Sequence, residues 1–376
     1  MKIINVVGTR PNFVKMAPIM EAYRAHPDIE PILVHTGQHY DNQMRDSFFK
    51  VLGLPEPDVD LGIGSGSHTQ QTAAMMQAFE PVLKEHKPDA VLVVGDVNST
   101  LACALAASQM NIPVFHVEAG LRSFDRAMPE ERNRILVDSI SDMLFCTEES
   151  GIKNLKNEGI PSHRVFSVGN VMIDALLKHQ PTLKDLPTLK KFGLEPRGYG
   201  LVTLHRPSNV DNPKVFKELI RALKEIQQDL PLLFPLHPRT HRQLEAHGMF
   251  EELQQLSNLK LVKPLDYLSF MHLMAEARMV LTDSGGVQEE TTALGVPCLT
   301  MRDNTERPVT CDLGTNILTG TKYNNVMAGY QQILQEYPDS AEPYPPKRPP
   351  LWDGSAAQRI VALIQKTYCS PARQAA

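Results

Sequence analysis

Short apolar runs alternate with longer segments of helical periodicity over roughly the first 170 residues. The runs Ile3–Val7, Ile32–Thr36 and Ala90–Val94 are each followed by a turn of glycine or polar residues. Runs this short and this apolar are typical of strands that helices cover on both faces, because parallel strands need such crossovers. The pattern therefore predicts a mostly parallel, doubly wound sheet.

A stretch rich in proline and lysine, from Gln180 to Arg197, precedes a region in which the alternation restarts. The strands predicted there are Tyr199–Thr203, Leu232–Pro235, Leu259–Val262, Met279–Thr282 and Cys298–Met301. A chain of 376 residues is too long for one compact core. We expect an α/β protein with two Rossmann-like domains, residues 1–170 and 171–355, and a C-terminal helix within residues 356–376.

Composition excludes several classes of function. Hydrophobic content of 42% and charged content of 22% are typical of soluble globular proteins. The net charge is −5 and no basic stripe is present, so nucleic acid is not an expected partner. No run of 18 apolar residues suggests a membrane span, and the first residues begin a strand rather than a signal peptide. The expected location is the cytoplasm.

The cysteines and histidines predict neither disulfides nor a metal site. An odd number of cysteines without a CxxC motif indicates free thiols, of which the first three listed lie in apolar runs that predict burial: Cys103, Cys146, Cys298, Cys311 and Cys369. Two His-x-x-x-His pairs occur, His35/His39 and His237/His241. Each pair straddles a strand end and a loop, so neither has the shared helical face that makes this spacing a metal signature.

The stretch from Met279 to Glu290 reads as a buried strand, a glycine turn and the first turn of a helix. Ser284 is predicted to cap a helix running from about Val287 to Leu294. Gly285 and Gly286 allow close approach of a ligand to amides that carry the positive end of the helix dipole. These features predict an anion site suited to a phosphate, although the same residues also fit an ordinary strand–helix turn.

Two arginines favour the ligand reading of that turn. Arg302 and Arg307 lie on the loop after the next predicted strand. A diphosphate needs such charge neutralisation. We therefore expect a diphosphate to bind in the second half of the chain.

Three acids follow strands of the first half. Asp96 follows Ala90–Val94, Glu118 ends the next predicted strand, and Glu130 opens a helix with Arg134 four residues on. Strand alternation is expected to place His116 and Glu118 on the same face. Asp96 as a helix cap and Glu130 as a dipole partner are the alternative readings. Three acids at one sheet edge instead indicate acid–base chemistry, because the carboxyl ends of parallel strands meet there.

Further candidates lie at other strand ends. Arg10 is in the turn after the first strand, and Lys15 follows on the next helix. His205 and His237 each follow a strand of the second half. Phe270 is either a core residue or one that stacks on a base.

Several motifs together resemble a known family. They are Gly8–Thr9–Arg10–Pro11, Gly95–Asp96, His116–Val117–Glu118–Ala119–Gly120–Leu121–Arg122, Pro129–Glu130–Glu131 with Asn133–Arg134, Asp283–Ser284–Gly285–Gly286 with Gln288–Glu289–Glu290, and Arg302–Asp303 with Thr305–Glu306–Arg307–Pro308. In this order, over essentially the whole chain, they resemble the non-hydrolysing UDP-N-acetylglucosamine 2-epimerases. The resemblance implies the GT-B architecture, in which two Rossmann-like domains face each other across a cleft.

The resemblance also implies an activity and roles for particular residues. The activity is interconversion of UDP-N-acetylglucosamine and UDP-N-acetylmannosamine for bacterial cell-surface polysaccharide, by a homodimer whose C-terminal helix packs back on the first domain. No cofactor is implied. The acid–base carboxylates would be Asp96, Glu118 and Glu130, with His205 assisting at the leaving phosphate. The UDP would be held by Arg10, Lys15, Ser284, Gly285, Gly286, Glu290 and Arg307, with Leu265 and Phe270 at the uracil; Arg134 and His237 are further candidates for substrate binding.

This chain departs from the family pattern at two places. Asn12 stands where the best-known members have glutamate, and Gln38–His39–Tyr40 lacks the basic residue that many bacterial members carry after Gln-His. That second loop is associated with activation by another substrate molecule, so such activation is in doubt here. Relatives acting on diacetamido-uronic sugars share several motifs, which leaves the sugar open.

The acids separate the epimerase from other readings of the same UDP site. A GT-B glycosyltransferase needs an acceptor cleft and usually one catalytic base, and a nucleotide-sugar sensor needs none. A hydrolysing relative that releases free N-acetylmannosamine is a further alternative, but no additional region of kinase size is present. Inversion at a carbon not adjacent to a carbonyl requires proton-handling groups on both faces of the sugar, and several carboxylates meet that need.

Overall fold

The computed structural model describes residues 1–38, 49–338 and 344–368. His39, Tyr40 and Cys369 lie outside these ranges, so the expectations placed on them stay predictions. The chain divides into two compact units. Unit 1 comprises Met1–Lys178 and the chain end from Pro350, and unit 2 comprises His179–Pro349. The expected boundaries, after residues 170 and 355, differ from these by several residues.

Each unit is built around a parallel sheet. The strands are β1 (Lys2–Val7), β2 (Glu30–His35), β3 (Val59–Asp60), β4 (Ala90–Val94), β5 (Val114–Val117), β6 (Met143–Cys146), β7 (Val165–Ser167), β8 (Gly200–Thr203), β9 (Leu232–Pro235), β10 (Leu259–Val262), β11 (Met279–Thr282), β12 (Cys298–Thr300) and β13 (Asn316–Leu318). The order in unit 1 is β3-β2-β1-β4-β5-β6-β7, and the order in unit 2 is β10-β9-β8-β11-β12-β13. Both are doubly wound sheets, as predicted.

Helices connect the strands. Those whose bounds the structure gives are α1 (Arg10–Ala22), α2 (His68–His86), α3 (Asn98–Gln109), α4 (Pro129–Ile140), α5 (Glu149–Asn157), α6 (Val171–Leu183), α7 (Thr188–Phe192), α8 (Pro207–Val210), α9 (Pro213–Asp229), α10 (Pro238–Ala246), α11 (Phe250–Gln254), α12 (Tyr267–Glu276), α13 (Gly285–Leu294), α14 (Val309–Asp312), α15 (Tyr323–Glu336) and α16 (Ala356–Tyr368). Apolar side chains of strands and helices form a buried core in each unit. No helix within the described ranges is long and apolar enough to cross a membrane.

Two strands were missed by the sequence analysis. β3 has two residues and β13 has three, and neither is fully buried. β3 ends at Asp60, shortly before the glycine-rich segment Gly62–Gly66. Strands this short carry too little apolar pattern to be recognised.

The cysteines agree with the prediction where the structure describes them. Cys103, Cys146 and Cys298 are buried, Cys311 is partly exposed, and all four are free thiols.

The chain end belongs to unit 1 through specific contacts. The Trp352 indole Nε1 donates to the Thr147 carbonyl over 2.9 Å, and the Trp352 side chain is buried. The Asp174 carboxylate accepts the Ala356 and Ala357 amides at 3.2 and 2.7 Å, which caps α16. Burial raises the pKa of Asp174 to about 6, although those amides lower it.

Candidate active site

The order of the strands identifies one edge of each sheet. β1 and β4 are neighbours in unit 1, and β8 and β11 are neighbours in unit 2, although they are not consecutive in the chain. At such switch points the connections leave toward opposite faces, so a crevice opens outside the carboxyl ends of the strands. The candidate residues follow strands at these two edges, each within its own unit.

Asn12 fixes the turn after β1. Its Oδ1 accepts the Gly8 and Thr9 amides at 3.3 and 3.1 Å, and its Nδ2 donates to the Val94 carbonyl at 3.0 Å. A glutamate has no side-chain N–H, so it could not make the second contact. Asparagine at this position thus ties the turn bearing Arg10, which is partly exposed, to the end of β4.

Lys15 and Glu118 form a buried ion pair at the same edge. Their side chains are 9% and 5% exposed. Gly95, which follows β4, lies beside them: a Cβ there would be 3.0 Å from the Lys15 Nζ and 3.3 Å from the Glu118 Oε2. The Gly95 φ of +69° also favours glycine. The structure thus places Lys15, which the resemblance assigned to UDP, against a candidate catalytic carboxylate.

The backbone of Glu118 differs from the expectation of strand alternation. β5 ends at Val117, and Glu118 has a φ of +75°, which is uncommon for a residue with a side chain. Its amide donates to the Phe145 carbonyl at 3.0 Å. Glu118 lies outside the strand, so alternation along β5 does not determine the position of its side chain. The prediction that alternation places His116 and Glu118 on the same face was therefore wrong.

Asp96 contacts Arg134 of α4. The Arg134 guanidinium also pairs with Glu131 at 2.7 Å, and the Asn133 Nδ2 donates to the Asp96 carbonyl at 2.8 Å. Val97, not Asp96, is the N-cap of α3, so the capping alternative does not apply. Asp96 is 25% exposed in its side chain and is the more accessible of the two strand-end acids.

Glu131 and Glu130 lie side by side at the start of α4 but differ in role. Glu131 is buried and accepts the Ser123 and Phe124 amides at 3.0 and 2.9 Å. Burial opposes ionisation, but these amides and Arg134 lower the pKa of Glu131 overall. Glu131 therefore organises the loop before α4, while Glu130 is only partly buried. Sequence reasoning gave Glu131 no role, because two of its partners, Ser123 and Phe124, precede the motif that contains it.

In unit 2, Asp283 fixes the loop after β8. This buried carboxylate accepts the His205 and Arg206 amides at 3.0 and 2.9 Å and lies 3.2 Å from the His205 Nδ1. Burial would raise the pKa of Asp283, but His205 and the two amides hold it below its usual range. The contact orients the His205 ring, whose side chain is 37% exposed. Sequence reasoning gave Asp283 no role.

The His237 ring is adjacent to that of His205. Their centroids are 5.6 Å apart, and the His237 Nδ1 accepts the Arg239 amide at 3.2 Å. The two histidines expected at strand ends are thus brought together within unit 2.

The glycine turn after β11 has the shape expected of an anion site, with one correction. Ser284 is at the N-cap position of α13, yet its hydroxyl makes no capping hydrogen bond, and the helix begins at Gly285 rather than near Val287. The predicted capping role of the Ser284 side chain was wrong. The first amides of α13 therefore do not receive the oxygen that usually caps a helix.

The loop bearing Arg302 and Arg307 covers this turn. A Cβ on Gly285 would lie 2.7 Å from the Glu306 Oε1 and 3.1 Å from the Arg307 Nη1. Glu306 pairs with Arg302 at 2.8 Å and with Arg307 at 2.9 Å, and Arg206 lies 3.7 Å away. Arg307 also lies 2.8 Å from Glu289. The two arginines predicted to neutralise a diphosphate are held next to the turn by a buried glutamate that the sequence analysis did not single out.

Glu290 is a buried carboxyl group on α13. Burial, followed by the charge of Glu289, raises the pKa of Glu290 to about 8. The Tyr267 hydroxyl lies 3.5 Å from it. Glu290 is thus mostly protonated at neutral pH and can donate a hydrogen bond. Leu265 and Phe270 are close to Tyr267 in the sequence, and both are partly exposed. Phe270 lies on α12.

A metal centre would need several ligands close together. In the part of the chain that the structure describes, no group of three or more His, Cys, Asp or Glu side chains is arranged to hold a metal ion.

Comparison with known proteins places these features in context. A protein-family model described as UDP-N-acetylglucosamine 2-epimerase matches residues 21–365. A UDP-N-acetylglucosamine 2-epimerase of Methanocaldococcus jannaschii is 41% identical over 97% of this chain and 99% of the relative. A UDP-2,3-diacetamido-2,3-dideoxy-D-glucuronate 2-epimerase of Pseudomonas aeruginosa is 44% identical over 97% of this chain and all of the relative (100%).

A solved structure shares the fold. The crystal structure of the M. jannaschii UDP-GlcNAc 2-epimerase in complex with UDP-GlcNAc and UDP matches with a TM-score of 0.88 and 41% identity, over 97% of this chain and 100% of that one. Two doubly wound units with these strand-end residues define a GT-B-type α/β isomerase. The chain belongs to the UDP-N-acetylglucosamine 2-epimerase family.

Proposed function

We propose that this protein interconverts UDP-N-acetylglucosamine and UDP-N-acetylmannosamine by inverting carbon 2 of the sugar. The observation that carries the proposal is the pair of acids at the ends of the neighbouring strands β4 and β5, Asp96 and Glu118, each in contact with a cation. The names of its relatives support the substrate class.

The proposed reaction eliminates UDP and adds it back. A carboxylate takes the proton from carbon 2, and the bond from carbon 1 to the diphosphate oxygen breaks, so that its electron pair leaves with UDP. The C–H electrons form the double bond of a glycal between carbons 1 and 2. A second acid then protonates the opposite face of carbon 2, and the diphosphate oxygen returns to carbon 1. Acids on both faces are needed, and we assign these roles among Asp96, Glu118 and Glu130.

Unit 2 supplies the groups that the departing UDP requires. The amides at Gly285 and Gly286, with Arg307 beside them, suit the negative charge that develops on the diphosphate. We assign His205, oriented by Asp283, to the leaving phosphate, and Glu290 as a neutral donor to UDP. We also assign Ser284 and, from unit 1, Arg10 to UDP. Leu265 and Phe270 are assigned to the uracil. His237 lies beside His205 and is assigned to substrate binding.

A second sugar is favoured by one observation. The relative that acts on UDP-2,3-diacetamido-2,3-dideoxy-D-glucuronate is 44% identical, and the M. jannaschii UDP-N-acetylglucosamine 2-epimerase is 41% identical. Identity does not separate the two substrates. The same elimination and re-addition would serve either UDP-sugar, so the test includes both sugars.

Other expectations stay predictions. They are the homodimer, the cytoplasmic location, the absence of a cofactor and the supply of sugars for cell-surface polysaccharide.

The test is incorporation of solvent deuterium. Each UDP-sugar is incubated with the protein in heavy water and followed by proton NMR; deuterium at carbon 2 of both epimers is expected. Asp96→Asn, Glu118→Gln and Glu130→Gln should each lose most turnover while still binding UDP. Asp89→Asn is the matched control, because Asp89 precedes β4 and its Oδ2 accepts the Lys2 amide at the opposite end of the sheet. Absence of deuterium, with sugar transfer to an acceptor, would instead identify a transferase.

A further inference from the structure

Asp138 on α4 is a buried acid that the proposed reaction does not use. Its Oδ1 lies 2.7 Å from the His116 Nδ1. Its Oδ2 accepts the Gly120 amide at 3.0 Å and lies 2.7 Å from the Arg122 Nη1. Asp138 therefore contacts the chain both before and after Glu118.

His116 connects Asp138 to the turn that bears Asp96. The His116 Nε2 lies 2.8 Å from the Gly95 carbonyl. A carbonyl oxygen only accepts, so this ring nitrogen carries a proton. Gly95 immediately precedes Asp96, and its own amide donates to the Val117 carbonyl at 3.0 Å. The His116 ring thus fixes the peptide at the end of β4.

The other ring nitrogen of His116 also donates. Burial opposes ionisation of Asp138, but contacts with His116 and Arg122 hold its pKa below the usual range. An ionised carboxylate accepts from the Nδ1 of His116, which must then carry a proton as well. Both ring nitrogens of this fully buried histidine thus face oxygen atoms, those of the Asp138 carboxylate and the Gly95 carbonyl.

Side chains of alternating charge continue outward from the His116–Asp138 pair. Arg122 lies between Asp138 and Glu158, with 2.7 Å to each carboxylate. Arg122 and Asp138 are both buried, whereas Glu158 is 37% exposed, so the chain of charges leads from the buried pair to the surface.

We propose that Asp138 is a positioning residue which, through a doubly protonated His116 and the Gly120 amide, sets the separation between Asp96 and Glu118. The inference rests on the proposed function, in which those two acids handle the proton at carbon 2. Asp138 touches neither acid. Removing its charge would take away the anionic acceptor of the His116 Nδ1 and loosen the peptide at Gly95.

The experiment compares Asp138→Asn with the parent chain and with Asp142→Asn. Asp142 is the matched control because its Oδ2 accepts the Val114 amide at the opposite end of β5. For Asp138→Asn we expect kcat to fall roughly ten- to a hundredfold, since a misplacement of about 1 Å has that effect, with KM within about twofold.

Circular dichroism of Asp138→Asn should match that of the parent protein. A kcat within about twofold of the parent value in a folded Asp138→Asn protein would overturn the proposal.

A second measurement needs neither activity nor a variant of Asp138. Histidine labelled with ¹⁵N in the intact protein should show both ring nitrogens of His116 protonated under the assay conditions, assigned by loss of the signal in His116→Gln. A neutral ring under those conditions overturns the inference even if Asp138→Asn does not fold. Failure of the parent chain to epimerise either UDP-sugar contradicts the proposed function alone, and the NMR result still decides the state of His116.

Discussion

Gly285→Ala tests whether the glycine turn of unit 2 holds a diphosphate. Gly285 has no positive φ, so alanine adds only its methyl group to the turn. That methyl would meet the Glu306 Oε1 at 2.7 Å, closer than a real contact allows. Glu306 is 2% exposed and is held by Arg302 and Arg307 at 2.8 and 2.9 Å, so it cannot move without weakening those pairs.

The expected magnitude follows from these contacts. Breaking a buried ion pair costs about 3–5 kcal/mol, and a partial displacement should forfeit roughly half of that. If this loss of about 1.5–2.5 kcal/mol appears in binding, UDP affinity should weaken roughly 10- to 60-fold. Asp96, Glu118 and their cationic partners belong to unit 1, whereas Gly285 belongs to unit 2.

Titration calorimetry with UDP measures the effect directly. Gly66→Ala in unit 1 is the matched control, because a Cβ there would have its nearest neighbours at 3.6 Å, an ordinary contact. Circular dichroism of both variants should match the parent protein. UDP affinity within about twofold of the parent value, in a folded Gly285→Ala protein, would refute the assignment of this turn to the diphosphate.

Three more predictions concern ionisable groups. Lys15→Met leaves the buried Glu118 without its cation, so turnover measured by NMR should fall about a hundredfold or more; unchanged turnover contradicts the pairing. Glu290 is protonated below its raised pKa of about 8, so UDP affinity should decline as pH rises through that value, while Glu290→Gln should be nearly independent of pH; parallel profiles in calorimetry contradict this. The pKa of Asp174 is raised from 3.8 to about 6. Between these pH values the native state therefore binds more protons than the unfolded state. The contribution of Asp174 to the free energy of unfolding thus decreases as pH rises through this window. Urea unfolding of Asp174→Asn should lack that decrease, and the same pH slope as the parent chain would contradict the assignment.

The sequence predicted the parts of the fold that local patterns determine. Apolar runs such as Ala90–Val94 are strands, and α16 (Ala356–Tyr368) lies within the predicted range 356–376. Edge strands such as β13 were missed, because three residues cannot display a period.

The sequence likewise predicted some residues of the candidate site and not others. Motifs identified the strand-end acids and the glycine turn, since their positions follow from strand and turn signals. The partners that hold them were not predictable: Glu131, Glu306 and Asp138 look like ordinary helix or loop acids in the sequence. Asp138 is 22 residues from His116, and only the packing of α4 beside β5 brings them into contact. Long-range ion pairs leave no local signal.

The contact between Asp174 and the start of α16 joins residues 182 positions apart. All of unit 2 lies between them in the chain, so it is an insertion into unit 1. During synthesis the first half cannot acquire its last helix or Trp352 until the second half has been made. A fragment ending near Lys178 would therefore expose the apolar surface that α16 covers, and the two halves should be expressed together rather than apart.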